Sequence, residues 1–97
     1  MARNNDTQTL KEAMQKLLQS YRLQQKYTET EMVNAWGRLM GKPIAKRTTQ
    51  VYFHDKKLFV KLNSAPLKQE LQMSKTKVLT ILRQEFGADA VEDIVFQ

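Results

Sequence analysis

The sequence predicts an α+β fold in which helices cover a three-stranded sheet, in the order ααββαβ. Apolar residues recur at helical spacing before Gly41 and again after Ser64. The segments TTQVYFH and KLFVKL alternate between apolar and polar side chains, and the chain closes on VEDIVF. Its 97 residues suffice for one compact core. We therefore expect a single domain over residues 1–97, with residues 1–6 disordered.

Two helices are predicted before Gly41. Thr9-x-x-Glu12 has the form of a capping box and opens a helix expected over residues 9–23, and Thr28-x-x-Glu31 opens a second. The apolar positions are Leu10, Met14, Leu17, Leu18 and Tyr21 in the first, and Met32, Val33, Trp36, Leu39 and Met40 in the second. Trp36 and the methionines on these stripes are expected to fill the core.

Gly41 is expected to end the second helix in a left-handed conformation, and Pro43 to prevent the helix from resuming. Gly37, inside that helix, suggests a close approach by another element, because a helical glycine costs about 1 kcal/mol relative to alanine.

The two alternating segments predict a β-hairpin, and the terminal segment predicts a third strand that returns to pair with it. The connection contains His54, Asp55, Lys56 and Lys57 but no glycine. A tight type I′ turn is therefore not expected, and a longer loop built on a type I turn is.

A third, long helix is predicted between the hairpin and the last strand. Ser64 has the character of an N-cap, Pro66 suits the first turn, and Gly87 ends the helix. Its apolar positions, which include the predicted core residue Leu71, are Leu67, Leu71, Val78, Ile81, Leu82 and Phe86.

The charge distribution suggests a polyanionic partner. Net charge is +6 in total, made up of +9 over residues 1–87 and −3 over the last ten residues. A basic body favours binding to nucleic acid, whereas the same charge on a protein without such a partner serves solubility. Composition alone leaves both interpretations open.

Other functional classes find little support. The chain has no cysteine and one histidine, His54, and it has no Walker-type loop, Gly-x-Ser-x-Gly elbow or dinucleotide-binding fingerprint. We therefore expect neither an enzyme nor a bound cofactor or metal. No apolar run approaches the roughly 20 residues that span a bilayer, so a cytoplasmic protein with no membrane contact is expected.

The basic residues near the predicted sheet are the candidate binding site. Lys42, Lys46 and Arg47 follow the second helix, and Lys56, Lys57 and Lys61 lie on or beside the hairpin. If the sheet begins where the helix ends, both groups meet at one end of the domain and form a phosphate-binding patch. Tyr52 and Phe59 alternate with the residues of the predicted core face and are candidates for stacking on bases, although burial of at least one ring is the favoured expectation.

These residues also carry a resemblance. The succession of Trp36, Met40-Gly41, Ile44-Ala45 and Thr48, followed by Leu58-x-Val60, NSAPLKQEL and Gly87…Val91-x-x-Ile94-x-Phe96, resembles the DciA-like family of bacterial proteins over residues 9–97. The resemblance implies a KH-like α+β domain that binds DNA and acts with the DnaB-type replicative helicase during its loading.

The sequence departs from the family pattern in several places. It lacks the proline that often follows the position of Thr48 or Thr49, the aromatic residue at the position of Leu67, and the Gly-x-x-Gly loop of true KH domains. It also stops after the last predicted strand, where family members often carry an extension implicated in helicase contact. DNA binding is therefore expected ahead of helicase loading, with a protein-interaction module second and an RNA-binding or ribosome-associated protein third.

Overall fold

The structure, a computed structural model, describes the backbone of residues 2–97 and the side chains of residues 7–97. Of the segment predicted to be disordered, Met1 and the side chains of residues 2–6 lie outside the described residues. The elements in chain order are α1 (Ala2–Met40), α2 (Lys42–Arg47), β1 (Thr48–His54), β2 (Lys57–Leu62), α3 (Ala65–Met73), α4 (Lys75–Phe86) and β3 (Asp93–Phe96). The α+β class with a three-stranded sheet is confirmed. The observed order of elements is ααββααβ and not the predicted ααββαβ.

The two helices predicted before Gly41 are one continuous helix, α1. No glycine or proline lies between Leu23 and Thr28 to interrupt it. Inside the helix, the hydroxyl of Thr30 donates to the carbonyl of Lys26 at 3.0 Å, a bond that lets threonine sit within a turn. The predicted capping box at Thr28 therefore does not start a helix.

The first apolar stripe of α1 is exposed and not part of the core. Its members, which we call the α1 stripe, are 49–71% exposed: Leu10, Met14, Leu17, Leu18 and Tyr21. The expectation that Met14 fills the core is wrong, whereas Met32 is fully buried. Among the described side chains of α1, the buried ones are Met32, Ala35 and Trp36, which all lie in its last third. The molecule measures 68 Å along its longest axis and 21 Å and 19 Å across the others, so a helix of 39 residues is much longer than the rest of the structure is wide.

Gly41 separates α1 from α2. Its φ of 89° is a conformation that favours glycine, as predicted, and its N–H donates to the carbonyl of Gly37 at 3.0 Å. The prediction for Pro43 is wrong, because Pro43 lies in the first turn of α2, where no backbone N–H is needed. Gly37 of α1 lies next to Ala45 of α2. If Gly37 were replaced by a residue with a side chain, its Cβ would lie 3.5 Å from the Cβ of Ala45, which is an ordinary van der Waals distance, so the space at this contact does not itself require glycine.

The sheet has the strand order β1-β2-β3, with β1 antiparallel and β3 parallel to the central strand β2. The predicted return of the last strand to the hairpin is confirmed. The predicted long loop is wrong, since His54 pairs directly with Lys57 and the two residues between them, Asp55 and Lys56, have φ of 51° and 63°. A two-residue turn with both φ positive matches the right-handed twist of the strands. The turn contains no glycine, and a hydrogen bond from outside the hairpin also stabilises it: the N–H of Glu92 donates to the carbonyl of Lys56 at 2.8 Å.

The long third helix is divided at Ser74 into α3 and α4. The predicted start and end of this helical region are confirmed. The hydroxyl of Ser64 accepts the N–H of Leu67 at 3.4 Å, and Gly87, at φ 111°, follows the last residue of α4. Ser74 adopts φ −103° and ψ 16°, outside the helical range. The change of direction allows both α3 and α4 to contribute buried residues to one core.

The core lies between the helices and one face of the sheet. Trp36 is 2% exposed, and its indole N–H donates to the hydroxyl of Thr48 at 3.1 Å. That hydroxyl in turn donates to the carbonyl of Ile44 at 2.8 Å, so α1, α2 and β1 are joined at one point. The other buried apolar residues of this cluster are Met32, Leu58, Val60, Leu71, Val78, Leu79, Leu82, Val91, Ile94 and Phe96.

Candidate nucleic-acid interface

The two faces of the sheet differ in burial. Side chains alternate along each strand, and the set that includes Leu58, Val60 and Ile94 is packed under the helices. The alternate set contains no buried residue, and we call it the open face: Gln50, Tyr52, His54, Lys57, Phe59, Lys61, Asp93, Val95 and Gln97. The helices that contribute to the core pack against the side of Leu58, Val60 and Ile94, and they bury no side chain of the open face completely.

An aromatic pair occupies the middle of the open face. Tyr52 and Phe59 are direct partners in the pairing of β1 with β2, their ring centroids are 4.9 Å apart, and their planes differ by 2°. Val95 on β3 continues the same row. Both rings are half-buried. Neither ring is fully buried, so the expectation that at least one of them is buried is wrong.

Lysines border this aromatic row on the central strand. Lys57 and Lys61 lie two residues before and two residues after Phe59, so their side chains emerge on the same face. Lys57 is half-buried and Lys61 is exposed. A row of apolar rings between two cations is an arrangement that suits bases flanked by phosphates.

Asp93 introduces a negative charge at one end of the open face. Its pKa is lowered chiefly because Oδ1 accepts the N–H of Ile94 at 2.8 Å, with further contributions from the ammonium groups of Lys75 and Lys57. Lys75 lies 3.3 Å from that carboxylate. Because Asp93 is the pairing partner of Lys57, it offsets part of the positive charge there and leaves Lys61 as the less compensated cation of the face.

The second basic group lies on α2. Lys42, Lys46 and Arg47 are all exposed, and α2 runs directly into β1. The carbonyl of Arg47 accepts the N–H of Asn63 at 2.9 Å, which ties this helix end to the chain just after β2. Lys61, paired with Gln50, lies near the same end of the sheet.

The predicted single patch is not formed. Lys56 and Lys57 lie at the hairpin turn, six residues along β1 from its start, which corresponds to about 20 Å in a strand. The structure therefore groups Lys42, Lys46, Arg47 and Lys61 at one end and places the two hairpin lysines at the other. The open face connects the two ends.

The described residues contain neither a cluster of metal-ligating side chains nor a helix that could span a membrane. Among side chains 7–97, no three histidine, aspartate or glutamate residues converge as metal ligands. Within residues 2–97, no helix is both long and apolar enough to cross a bilayer.

Fold and surface together define a small α+β domain that presents one sheet face, carrying stacked rings and lysines, to solvent. The family model described as Dna[CI] antecedent, DciA, matches residues 9–96, and the chain belongs to the DciA family. The family is associated with loading of the DnaB-type helicase in bacterial DNA replication and is not a known family of enzymes. No curated protein is significantly similar to the chain.

Proposed function

We propose that this protein is a non-enzymatic DNA-binding domain that acts with a DnaB-type replicative helicase. The observation that carries the DNA-binding part is the pair Lys57 and Lys61, which borders the rings of the open face on the central strand. The exposed Lys42, Lys46 and Arg47 extend positive charge from one end of that face. The helicase part is supported by membership of the DciA family.

The main contribution to the proposed DNA affinity is electrostatic. Lysine and arginine side chains neutralise phosphates and release the counterions condensed on DNA, which stabilises the complex without reading sequence. The chain has no Gly-x-x-Gly loop, so a KH-like clamp made by backbone groups is not available, and side chains must supply the contacts.

Binding should be measured for single-stranded DNA, duplex DNA and RNA of equal length at two salt concentrations. The proposal requires DNA affinity that falls as salt rises, because counterion release becomes less favourable. Tighter binding to RNA than to either DNA would favour the RNA-binding alternative. Absence of binding to all three at low salt would refute the DNA-binding function.

The helicase proposal predicts a direct complex. After nuclease treatment, the protein is expected to co-purify with the DnaB-type helicase of its own host or to change the oligomeric state of that helicase in light scattering. Nuclease treatment is the control, because DNA bound by both proteins would otherwise bridge them. If two folded partners show neither result, only the DNA-binding half of the proposal stands.

A protein-interaction module of the same fold is the second candidate, and the α1 stripe favours it. Five neighbouring apolar side chains on one helix face are an unusual amount of exposed apolar surface for a domain of this size. Exposed lysines and arginines, among them Lys11, Lys16 and Arg22, border this part of α1 and suit an acidic partner. In this case the basic charge serves solubility or that partner, and nucleic acid does not bind.

A further inference from the structure

The ring of Tyr52 has one covered face and one outward face. Its hydroxyl donates to Oε1 of Gln97 at 3.3 Å, although Tyr52 lies on β1 and Gln97 follows β3. The side chain therefore leans across the central strand. Since the ring is parallel to that of Phe59 at 4.9 Å, one of its faces is stacked on Phe59. The opposite face has no ring partner among the described residues, and we call it the outward face.

This arrangement holds an aromatic platform in a fixed orientation. Phe59 stacks on one face of the ring, and the hydroxyl of the ring donates to Oε1 of Gln97. A flat ring that is already ordered loses little conformational freedom when a second flat group stacks on it. Lys57 and Lys61 supply a cation on each side of the platform along the central strand.

We propose that the open face binds single-stranded DNA by stacking a base on the outward ring face of Tyr52, with the adjacent phosphates held by Lys57 and Lys61. This inference rests on the proposed DNA-binding function and adds to it the kind of DNA and the point of contact. Bases in a duplex are stacked on each other and paired, so their faces are not available to a protein ring. Bases in a single strand present both faces.

The test compares Tyr52→Leu with Tyr52→Phe. Leucine removes the platform and keeps an apolar side chain in β1, whereas phenylalanine keeps the platform and loses only the hydroxyl. The probes are a fluorescently labelled oligothymidylate of about 12 nucleotides and a duplex of the same length, in fluorescence anisotropy titrations. Tyr27→Leu is the matched control, because Tyr27 is an exposed tyrosine on α1 and does not belong to the open face. Circular dichroism checks that each variant is folded.

We expect Tyr52→Leu to weaken binding to the single strand by roughly tenfold to a hundredfold and to leave the salt dependence unchanged, because a ring and not a cation is lost. Tyr52→Phe and Tyr27→Leu should bind the single strand within about twofold of the original protein. Duplex affinity should be the same in all variants. Should Tyr52→Leu unfold the domain, Phe59→Leu, which removes the ring beneath, is expected to reduce single-strand affinity in the same way.

Two results would overturn the inference while leaving the proposed function intact. One is an original protein that binds DNA and a folded Tyr52→Leu variant that binds the single strand equally well. The other is a loss of affinity seen with an oligouridylate and absent with the oligothymidylate, which would assign the platform to RNA. If the original protein bound neither DNA, the proposed function itself would fail.

Discussion

Replacing Trp36 with alanine is expected to lower the free energy of unfolding by about 3–5 kcal/mol. The indole is 2% exposed and lies between α1, β1 and β3. It packs against Phe96 of β3, with ring centroids 6.3 Å apart, and donates to the hydroxyl of Thr48 at 3.1 Å. Alanine would leave a large cavity between α1 and the sheet. Chemical denaturation followed by circular dichroism measures the loss.

Trp36→Phe is the matched variant, since it keeps a ring in the core and removes the indole N–H. Its loss should be smaller, with the absent hydrogen bond accounting for about 1 kcal/mol. Trp36 is also the only tryptophan of the chain, so its native fluorescence reports on this site alone. Emission like that of indole in water, or a Trp36→Ala variant as stable as the original protein, would contradict the packing of α1 on the sheet.

The second large effect concerns charge. Reversing Lys42, Lys46 and Arg47 together to glutamate is expected to weaken DNA binding by at least about tenfold at low salt. Each phosphate contact that is lost should also reduce the slope of log affinity against log salt by about 0.9 on duplex or about 0.7 on a single strand. All three side chains are exposed on α2, so the substitutions should leave the fold intact.

The control for this prediction is an equal charge change elsewhere. Lys11, Lys16 and Arg22 are exposed on α1, away from the sheet, and their reversal to glutamate changes net charge by the same amount. It should weaken binding less and leave the slope nearly unchanged. If both triple variants bind equally poorly, the attraction depends on net charge alone, and the surface around α2 is ordinary solvated surface.

The sequence predicted the ends of helices correctly where the backbone needs a particular residue type, such as glycine at positive φ or serine as an N-cap. Gly41 and Gly87 end helices at positive φ, and Ser64 caps α3 through its hydroxyl. The alternation of apolar residues placed β1 and β2 and separated their two faces, which is why Tyr52 and Phe59 could be assigned to the side opposite Leu58 and Val60. These features depend on neighbours within a few residues.

The binding role of the six basic residues stays a prediction, and their arrangement in space could not be predicted from the sequence. The six basic residues could be chosen from charge and position, yet the pairing of His54 with Lys57 places two of them at the far end of the sheet from α2. The tight turn that causes this has lysine at φ 63°, which local preference disfavours. Strand twist and the bond from the N–H of Glu92 to the carbonyl of Lys56 outweigh that preference, and the bond joins residues distant in sequence.

The sequence by itself determined the α+β class, the strands, the ends at Gly41, Ser64 and Gly87, and the basic character of the chain, because these follow from short-range periodicity and composition. Only the tertiary structure decided that α1 is continuous, that its first apolar stripe is exposed, and that one face of the sheet is left open. The physical reason is that an apolar stripe shows which side of a helix can be buried but not whether another element reaches it. Whether a stripe is buried depends on how far the sheet extends along the helix. In this protein the buried residues among the described side chains of α1 lie only at the end that contains Trp36.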